Sequence, residues 1–373
     1  MSPATINSLH RATTGVQSVD RAVASVDTAS TFAANGALIQ SAEPSNATRR
    51  APGRIPALDF TKGALVLIMV LYHWLNYFIS PSGTWYKYLR FLTPSFIFIT
   101  GFFISNIYLA KYNTMDSRLP KRLLSRGLKL VAMFVSLNAA IVLLSPRGGA
   151  ASLTNWQVYV TGNAIDGRAA FSVLLPIGYL LVLSAGLVVV SKIYRNIFHA
   201  ACAVMLLLAF LASFYGPKNA YFELVAIGLL GVSIGYVPMD KVKRIVHHPF
   251  VLLVLYAGYL FAITLWDELF ALQIVGVCLS LALIYVLGER NGEPEFIWKM
   301  VILLGQYSLF GYIAQIVILQ VLRRILQHRS SELVPEVMAL IAGVFLTYLS
   351  VQLLDSARKR ASIVNKLYSA VFA

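Results

Sequence analysis

Acidic residues and cysteines are scarce in this chain, and each scarcity excludes a class of protein. There are 16 Asp and Glu against 31 Lys and Arg, and charged residues make up only 13% of the sequence, about half the share found in typical soluble domains. The two cysteines, Cys202 and Cys278, both fall within apolar runs, which excludes a disulfide framework. The few acids in apolar runs lie near the ends of those runs, which disfavours a carboxylate-based ion pump.

The chain also lacks the local patterns of two large enzyme classes. It contains neither an H-E-x-x-H zinc motif nor a G-x-S-x-G nucleophile elbow, so we predict no metal site and no tightly bound cofactor. The net charge of +15 comes without a nucleic-acid motif. Membrane proteins gather Lys and Arg in their cytoplasmic loops, and this topology accounts for the charge, so we expect no nucleic-acid partner.

Long apolar runs are what the chain has in abundance. Hydrophobic residues make up 58% of it, and after residue 55 runs of about 20 apolar residues recur, each long enough to cross a hydrocarbon core of about 30 Å. Such runs must be helical, because lipid offers backbone groups no hydrogen bonds. We predict an all-α, polytopic transmembrane helical bundle of about ten spans, near 56–79, 91–110, 123–144, 170–191, 197–215, 220–237, 249–267, 270–288, 300–322 and 334–354.

Composition also divides the chain. Residues 1–53 are rich in Ala, Ser and Thr without apolar periodicity, which predicts a disordered cytoplasmic N-terminal tail. Three acids in that segment disfavour the alternative of an organelle transit peptide. Residues 54–355 are expected to form one transmembrane domain, and residues 356–373 a short basic cytoplasmic C-terminal tail.

The basic loops predict the orientation of the bundle. The connector 111–129, the loop 238–248 and the C-terminal tail all fall on one side of a ten-span bundle and are rich in Lys and Arg. The positive-inside rule places that side, and with it both termini, in the cytoplasm of a multi-pass protein of the cell inner (plasma) membrane. The loop after the ninth span is the exception, because it holds Arg323, Arg324 and Arg329.

A histidine interrupts the first apolar run. His73 lies eleven residues after Lys62, a step of three helical turns plus about 20°, so the two side chains share a helix face roughly 16 Å apart. Ionisable residues within a membrane usually face the bundle interior or a cavity. Asn76 and Tyr77, at i+3 and i+4 from His73, extend the same polar face. His73 and Asn76 are therefore candidate catalytic residues, and Tyr77 is a candidate substrate-binding residue.

Structural alternatives exist for both ionisable groups of this face. His73 could be a core histidine that is hydrogen-bonded to a neighbouring helix. Lys62 could extend its ammonium group to the membrane surface without any role in binding.

The same run carries a family resemblance. From Arg54 to His73, the pattern R-x-x-x-LDFTKG-x9-H resembles the start of the integral-membrane acyltransferase superfamily. That superfamily includes acyltransferase family 3, the glucan-succinylating OpgC-like proteins and the heparan-α-glucosaminide N-acetyltransferase-like proteins. Later segments follow in the family's order, among them PSFIFITGFFIS at 94–105, KRLLSRGLKL at 121–130 and LGQYSLFGYIAQ at 304–315. Lys62 stands where relatives typically have Arg, and Gln315 stands where many carry a second histidine.

The resemblance implies that 54–355 is an acyltransferase-like domain moving an acetyl- or succinyl-type group from cytoplasmic acyl-CoA to a hydroxyl or amine of a glycan or small-molecule acceptor. His73 would act as general base or as acyl-carrying nucleophile, and the sequence does not separate these roles. The phosphates of CoA require cations. The candidate residues for donor binding are Asp59, Lys62, Arg122, Arg126 and Lys129, and those for substrate binding, beside Tyr77, are Tyr312 and Gln315.

Other interpretations fit the same residues. Arg122, Arg126 and Lys129, spaced i, i+4 and i+7, form one basic stripe at the start of the third span, and positive-inside topology alone explains such a stripe. Tyr or Gln in membrane helices often serves as an interhelical contact. For the whole protein, the alternatives are a transporter or flippase that uses the same polar face, and a non-catalytic family member. Membrane lipids are expected partners, and the sequence leaves a homodimer open.

Overall fold

Helices make up nearly all of the regular structure in the described part of the chain. The computed structural model describes residues 55–79, 85–109, 118–144, 163–164, 167–168, 171–194, 196–215, 220–246, 248–266, 269–289, 295–326 and 333–372. The predicted N-terminal tail, 1–53, lies outside these residues. Among them, β-structure is limited to a two-residue antiparallel ladder between β1 (Asn163–Ala164) and β2 (Gly167–Arg168).

The helices follow the predicted spans closely. Their bounds are α1 Pro56–Trp74, α2 Tyr86–Leu89, α3 Leu92–Phe103, α4 Arg118–Leu144, α5 Leu174–Val190, α6 Ile197–Tyr215, α7 Ala220–Ile234, α8 Met239–Val246, α9 Pro249–Leu265, α10 Phe270–Gly288, α11 Phe296–Gln306, α12 Ser308–Leu326, α13 Leu333–Arg360 and α14 Ser362–Phe372. π-Helical turns extend α1 over Leu75–Ile79 and α3 over Ile104–Leu109.

Seven of the described helical segments are long and apolar enough to cross a membrane, and α5, α7, α9 and α11 are shorter apolar helices. This confirms the predicted all-α, polytopic bundle.

The predicted ninth span, 300–322, is divided in the structure. α11 ends and α12 begins on either side of Tyr307, whose backbone (φ −112°, ψ 28°) leaves the helical range. The Tyr307 hydroxyl donates a hydrogen bond to Oδ1 of Asp355 on α13 over 2.7 Å. An average of hydropathy along the chain does not reveal this break, because most residues within the averaged window are apolar and the hydrogen-bond partner Asp355 lies on another helix.

α1 is the central helix of the described bundle, in contact with α3, α10, α11, α12 and α13. It begins with a proline, whose fixed φ and missing N–H suit the first helical turn. At this end α1 meets α11 backbone to backbone. A Cβ atom on Gly63 would collide with the carbonyl oxygen of Val301, and one on Gly305 would collide with that of Asp59. Small residues at such crossings allow the close approach that packs membrane helices together, so this contact fixes the position of the start of α1.

Most of the described part, 356–372, of the segment predicted as a basic tail, 356–373, is helical. α13 continues to Arg360, and α14 then folds back onto the break between α11 and α12. The ring of Tyr368 lies 5.5 Å from that of Tyr307, and the Arg358 guanidinium lies 4.0 Å from the Tyr368 ring. Lys359 forms an ion pair with Asp355 over 2.6 Å. The aromatic side chains that follow the basic residues account for this packing, and a count of charges does not reveal them.

α8 lies between two of the apolar helices and is attached to the end of α10. Lys243 of α8 forms an ion pair with Glu289 over 2.6 Å. The hydrogen bond from this ammonium to the Glu289 carboxylate raises the pKa of Lys243, so the ammonium keeps its charge throughout the neutral range.

Candidate active site

The imidazole of His73 lies in a pocket of tyrosine rings near the end of α1. Tyr72 meets it edge-on at 5.3 Å between ring centroids, Tyr77 stacks on it at 5.7 Å with an interplanar angle of 26°, and Tyr312 of α12 lies at 6.4 Å. The structure therefore brings two of the predicted substrate-binding residues, Tyr77 and Tyr312, against the predicted catalytic histidine.

The two ring nitrogens of His73 are buried without a hydrogen-bond partner in the described part of the chain. An unsatisfied buried polar group costs about 1–3 kcal/mol, so each such group in a native protein requires an explanation. The structural alternative for His73 was a hydrogen bond to a neighbouring helix, and the described residues provide none. An imidazole in this state can accept a proton from a molecule that enters the pocket.

Gln315 is a second buried polar side chain of this kind. It lies three residues after Tyr312 on α12, so the two share a helix face. Its exposed fraction is 0%, and neither its amide nitrogen nor its amide oxygen has a partner among the described residues. The central helix α1 and its neighbour α12 thus contribute one buried polar side chain each, His73 and Gln315, and neither has a hydrogen-bond partner among the described residues. An amide can orient a substrate by donating and accepting hydrogen bonds, but it cannot take a proton at neutral pH.

Phe171, which sequence reasoning did not single out, closes the pocket beside Tyr312. Its ring is 3% exposed and meets the Tyr312 ring edge-on at 6.4 Å. Its φ of 57° places the backbone in the left-handed region, which is rare for a bulky side chain. Strain of this kind concentrates at functional sites. The residue type gives no sign of it, because the unusual φ arises where the chain turns into α5.

Tyr77 and Asn76 lie on the π-helical turn Leu75–Ile79 that follows α1. Such turns occur frequently at functional sites. Tyr77 forms a hydrogen bond with Gln320 of α12, and the guanidinium of Arg323 lies 5.9 Å from its ring. Asn76 is half-buried on the same turn. Neither Arg323 nor Gln320 was predicted as a site residue. Gln320 carries no signal in the sequence, whereas Arg323 lies in the one basic loop that departs from the predicted orientation.

At the other end of α1, the predicted donor-binding residues Asp59 and Lys62 pair with each other. Their ion pair measures 2.7 Å, and the side chains are 9% and 19% exposed, respectively. The Lys62 ammonium also lies 5.0 Å from the ring centroid of Phe103 on α3. The lysine is therefore held inside the bundle, with its charge compensated by the carboxylate.

The basic residues of α4 share one side of the helix but differ in burial. The half-buried guanidinium of Arg126 lies 5.1 Å from the ring of Tyr108, on the π-helical turn that follows Phe103. Arg126 and Lys62 thus flank the same end of α3. Arg122 is exposed. Lys129 lines a shallow groove of about 500 Å³ on the outer side of α4. Among the described residues, no group of three or more His, Cys, Asp or Glu side chains is placed to hold a metal ion.

A family model described as an acyltransferase domain matches residues 55–355. The match extends from the first turn of α1 to the Asp355 that bonds Tyr307, and it includes every residue of the His73 pocket. No curated protein and no solved structure matches the chain. Because the family match covers well over half of the sequence, the chain belongs to acyltransferase family 3, a family of membrane acyltransferases.

Proposed function

We propose that this protein transfers an acetyl- or succinyl-type acyl group from cytoplasmic acyl-CoA to a hydroxyl or amine of a glycan or small-molecule acceptor. Family membership supports acyl transfer. The observation that carries the proposal is the pair of buried nitrogens on His73, which have no hydrogen-bond partner among the described residues. They lie next to three tyrosine rings, in a bundle that also holds the Gln315 amide, likewise without a partner in that part of the chain.

The proposed reaction needs a group that can hold one proton. The oxygen or nitrogen of the acceptor forms a bond to the thioester carbonyl carbon, and the carbon–sulfur bond breaks. His73 accepts the acceptor's proton and passes it to the leaving thiolate, so that CoA departs as the thiol. Histidine suits this role because its unperturbed pKa is about 6.5, close to neutral pH.

A second route uses His73 as the nucleophile. One imidazole nitrogen attacks the thioester carbon, the carbon–sulfur bond breaks, and the imidazole N–H proton goes to the thiolate, so that CoA leaves as the thiol. In a second step the acceptor's oxygen or nitrogen bonds to the acyl carbon, the bond from the imidazole to that carbon breaks, and the imidazole takes up the acceptor's proton. The same unpartnered nitrogens favour this route equally. Trapping of an acyl-histidine together with ping-pong kinetics would identify it, and a ternary-complex kinetic pattern would identify the general base.

The donor is proposed to enter at the Lys62 end of α1. Lys62 and Arg126 flank the end of α3 there, and Asp59, Arg122 and Lys129 belong to the same region of α1 and α4. Lys62 and His73 are roughly 16 Å apart along the helix axis, so the flexible pantetheine arm must carry the thioester from the phosphate-binding end into the pocket. Both termini are proposed to be cytoplasmic in the cell inner membrane, with His73 nearer the outer face.

Comparative mass spectrometry tests the proposal. Envelope glycans and secreted metabolites are compared between cells that contain the protein and cells that lack it. We expect one or more species that carry an additional acyl group only when the protein is present, and their masses identify both the acyl group and the acceptor. The absence of any such species, combined with an altered distribution of an unmodified solute across the membrane, would contradict acyl transfer and favour a transporter.

A further inference from the structure

Arg323 stands at the His73 end of the bundle, far from the cations of the opposite end. α11 and α12 run beside α1 in the same direction: Gly305 touches Asp59 near the start of α1, and Arg323 lies against Tyr77, beyond the end of α1. In the proposed orientation this end faces away from the cytoplasm. The positive-inside rule explains Lys and Arg on the cytoplasmic side only, so a cation here requires another cause.

The position of Arg323 relative to His73 suggests that cause. The guanidinium lies 5.9 Å from the centroid of the Tyr77 ring, and the same ring stacks on the imidazole at 5.7 Å. Gln320, one turn earlier on α12, forms a hydrogen bond with Tyr77 and so holds the ring between the two groups. The guanidinium is therefore separated from the proposed reaction centre by one aromatic ring.

Arg323 is available to a ligand. Its side chain is exposed, and no carboxylate of the described residues forms an ion pair with it.

We infer that Arg323 binds an oxyanion, a carboxylate or a phosphate, on the acyl acceptor. The acceptor is then an anionic glycan or metabolite, an inference that rests on the proposed acyl transfer. A guanidinium recognises such groups through two parallel N–H···O hydrogen bonds, which fix orientation as well as position. The oxyanion itself does not react. It holds the acceptor so that a hydroxyl or amine elsewhere on the molecule reaches His73.

A series of full-length variants tests this inference by mass spectrometry of the acylated product in cells. Arg323→Gln removes the charge, Arg323→Glu reverses it, and Arg323→Lys retains it. Arg324→Gln is the matched control, because it removes an equally exposed cation about 100° around the same helix. The amount of protein in the membrane is measured for every variant.

We expect the product to carry a carboxylate or phosphate, and its fragmentation shows which. Per molecule of protein, Arg323→Gln should lower the yield at least about tenfold, the size of effect expected from a lost charged hydrogen bond. The order of yields should be Lys above Gln above Glu, with Arg324→Gln equal to the wild type.

Three results would overturn the inference without touching the proposed function. These are a neutral acylated product, a wild-type yield from Arg323→Gln, and equal losses in the Gln and Glu variants, which would mean that Arg323 only supports the Tyr77 ring. If the proposed acyl transfer itself is wrong, the result is different: cells with and without the protein then contain the same acylated species.

Discussion

The two ends of α1 differ in whether their buried ionisable groups have partners among the described residues. At the first end, Lys62 and Asp59 compensate each other over 2.7 Å, next to a crossing with α11 so close that glycine is required. At the other end, the two nitrogens of His73 are buried without a partner in the described part of the chain. Satisfied groups stabilise a fold, whereas unsatisfied ones destabilise it, so the second end retains its polar group for a purpose other than stability.

Among the variants that test this difference between the two ends of α1, His73→Ala is expected to have the largest effect, a loss of acylated product. Loss of a general base or nucleophile should lower acylated product between about a hundredfold and ten-thousandfold, while the amount of protein in the membrane stays unchanged. His199→Ala on α6 is the control, because that histidine is exposed and contacts only the ring of Tyr236 among the aromatic contacts described. Wild-type product from His73→Ala would remove the catalytic assignment.

At the other end of α1, the largest effect should be on stability. Lys62→Met removes the ammonium group from this buried ion pair, which we expect to lower the free energy of unfolding by about 3–5 kcal/mol. Replacing both residues, Lys62→Met with Asp59→Leu, should recover most of that loss. Thermal unfolding in detergent measures both. If the single variant is as stable as the wild type, the proposed difference between the two ends does not hold.

Close packing at the same end gives a third prediction. A methyl group at Gly305 would collide with the carbonyl oxygen of Asp59, so Gly305→Ala should destabilise the protein by about 1–3 kcal/mol. At Gly186 on α5 an added Cβ meets nothing within 4 Å. Gly186→Ala should therefore be neutral or stabilise by up to about 1 kcal/mol through helix propensity. Equal effects on the unfolding temperature would show that the α1–α11 crossing is looser than the structure indicates.

The smallest expected effect concerns the cations of α4. Replacing Arg122 and Arg126 together with Gln should raise the KM for acyl-CoA about tenfold, equivalent to about 1.4 kcal/mol, and leave the KM for the acceptor unchanged. Arg360→Gln, an exposed cation at the end of α13, is the control. An unchanged KM for acyl-CoA in the double variant would mean that these arginines reflect membrane topology alone.

Hydropathy predicts much of the fold, because a helix in lipid satisfies its own backbone hydrogen bonds. The polar face of α1 was accessible for the same reason, since helical spacing alone places Lys62, His73 and Tyr77 together. Contacts between distant segments were not accessible. The break at Tyr307 depends on Asp355, and the strained backbone of Phe171 depends on how the chain enters α5. The place of Arg323 beside the pocket likewise follows from the alignment of α12 with α1, which no local pattern encodes.

The most direct test of the central claim is an experimental structure of the protein in a lipid nanodisc with a non-hydrolysable acetyl-CoA analogue. We expect the acyl end to occupy the pocket formed by Tyr72, Tyr77 and Tyr312. There, an acceptor atom could contact both the carbonyl carbon and a His73 nitrogen at about 3 Å. An acyl end bound elsewhere, with both His73 nitrogens hydrogen-bonded to another helix, would contradict it.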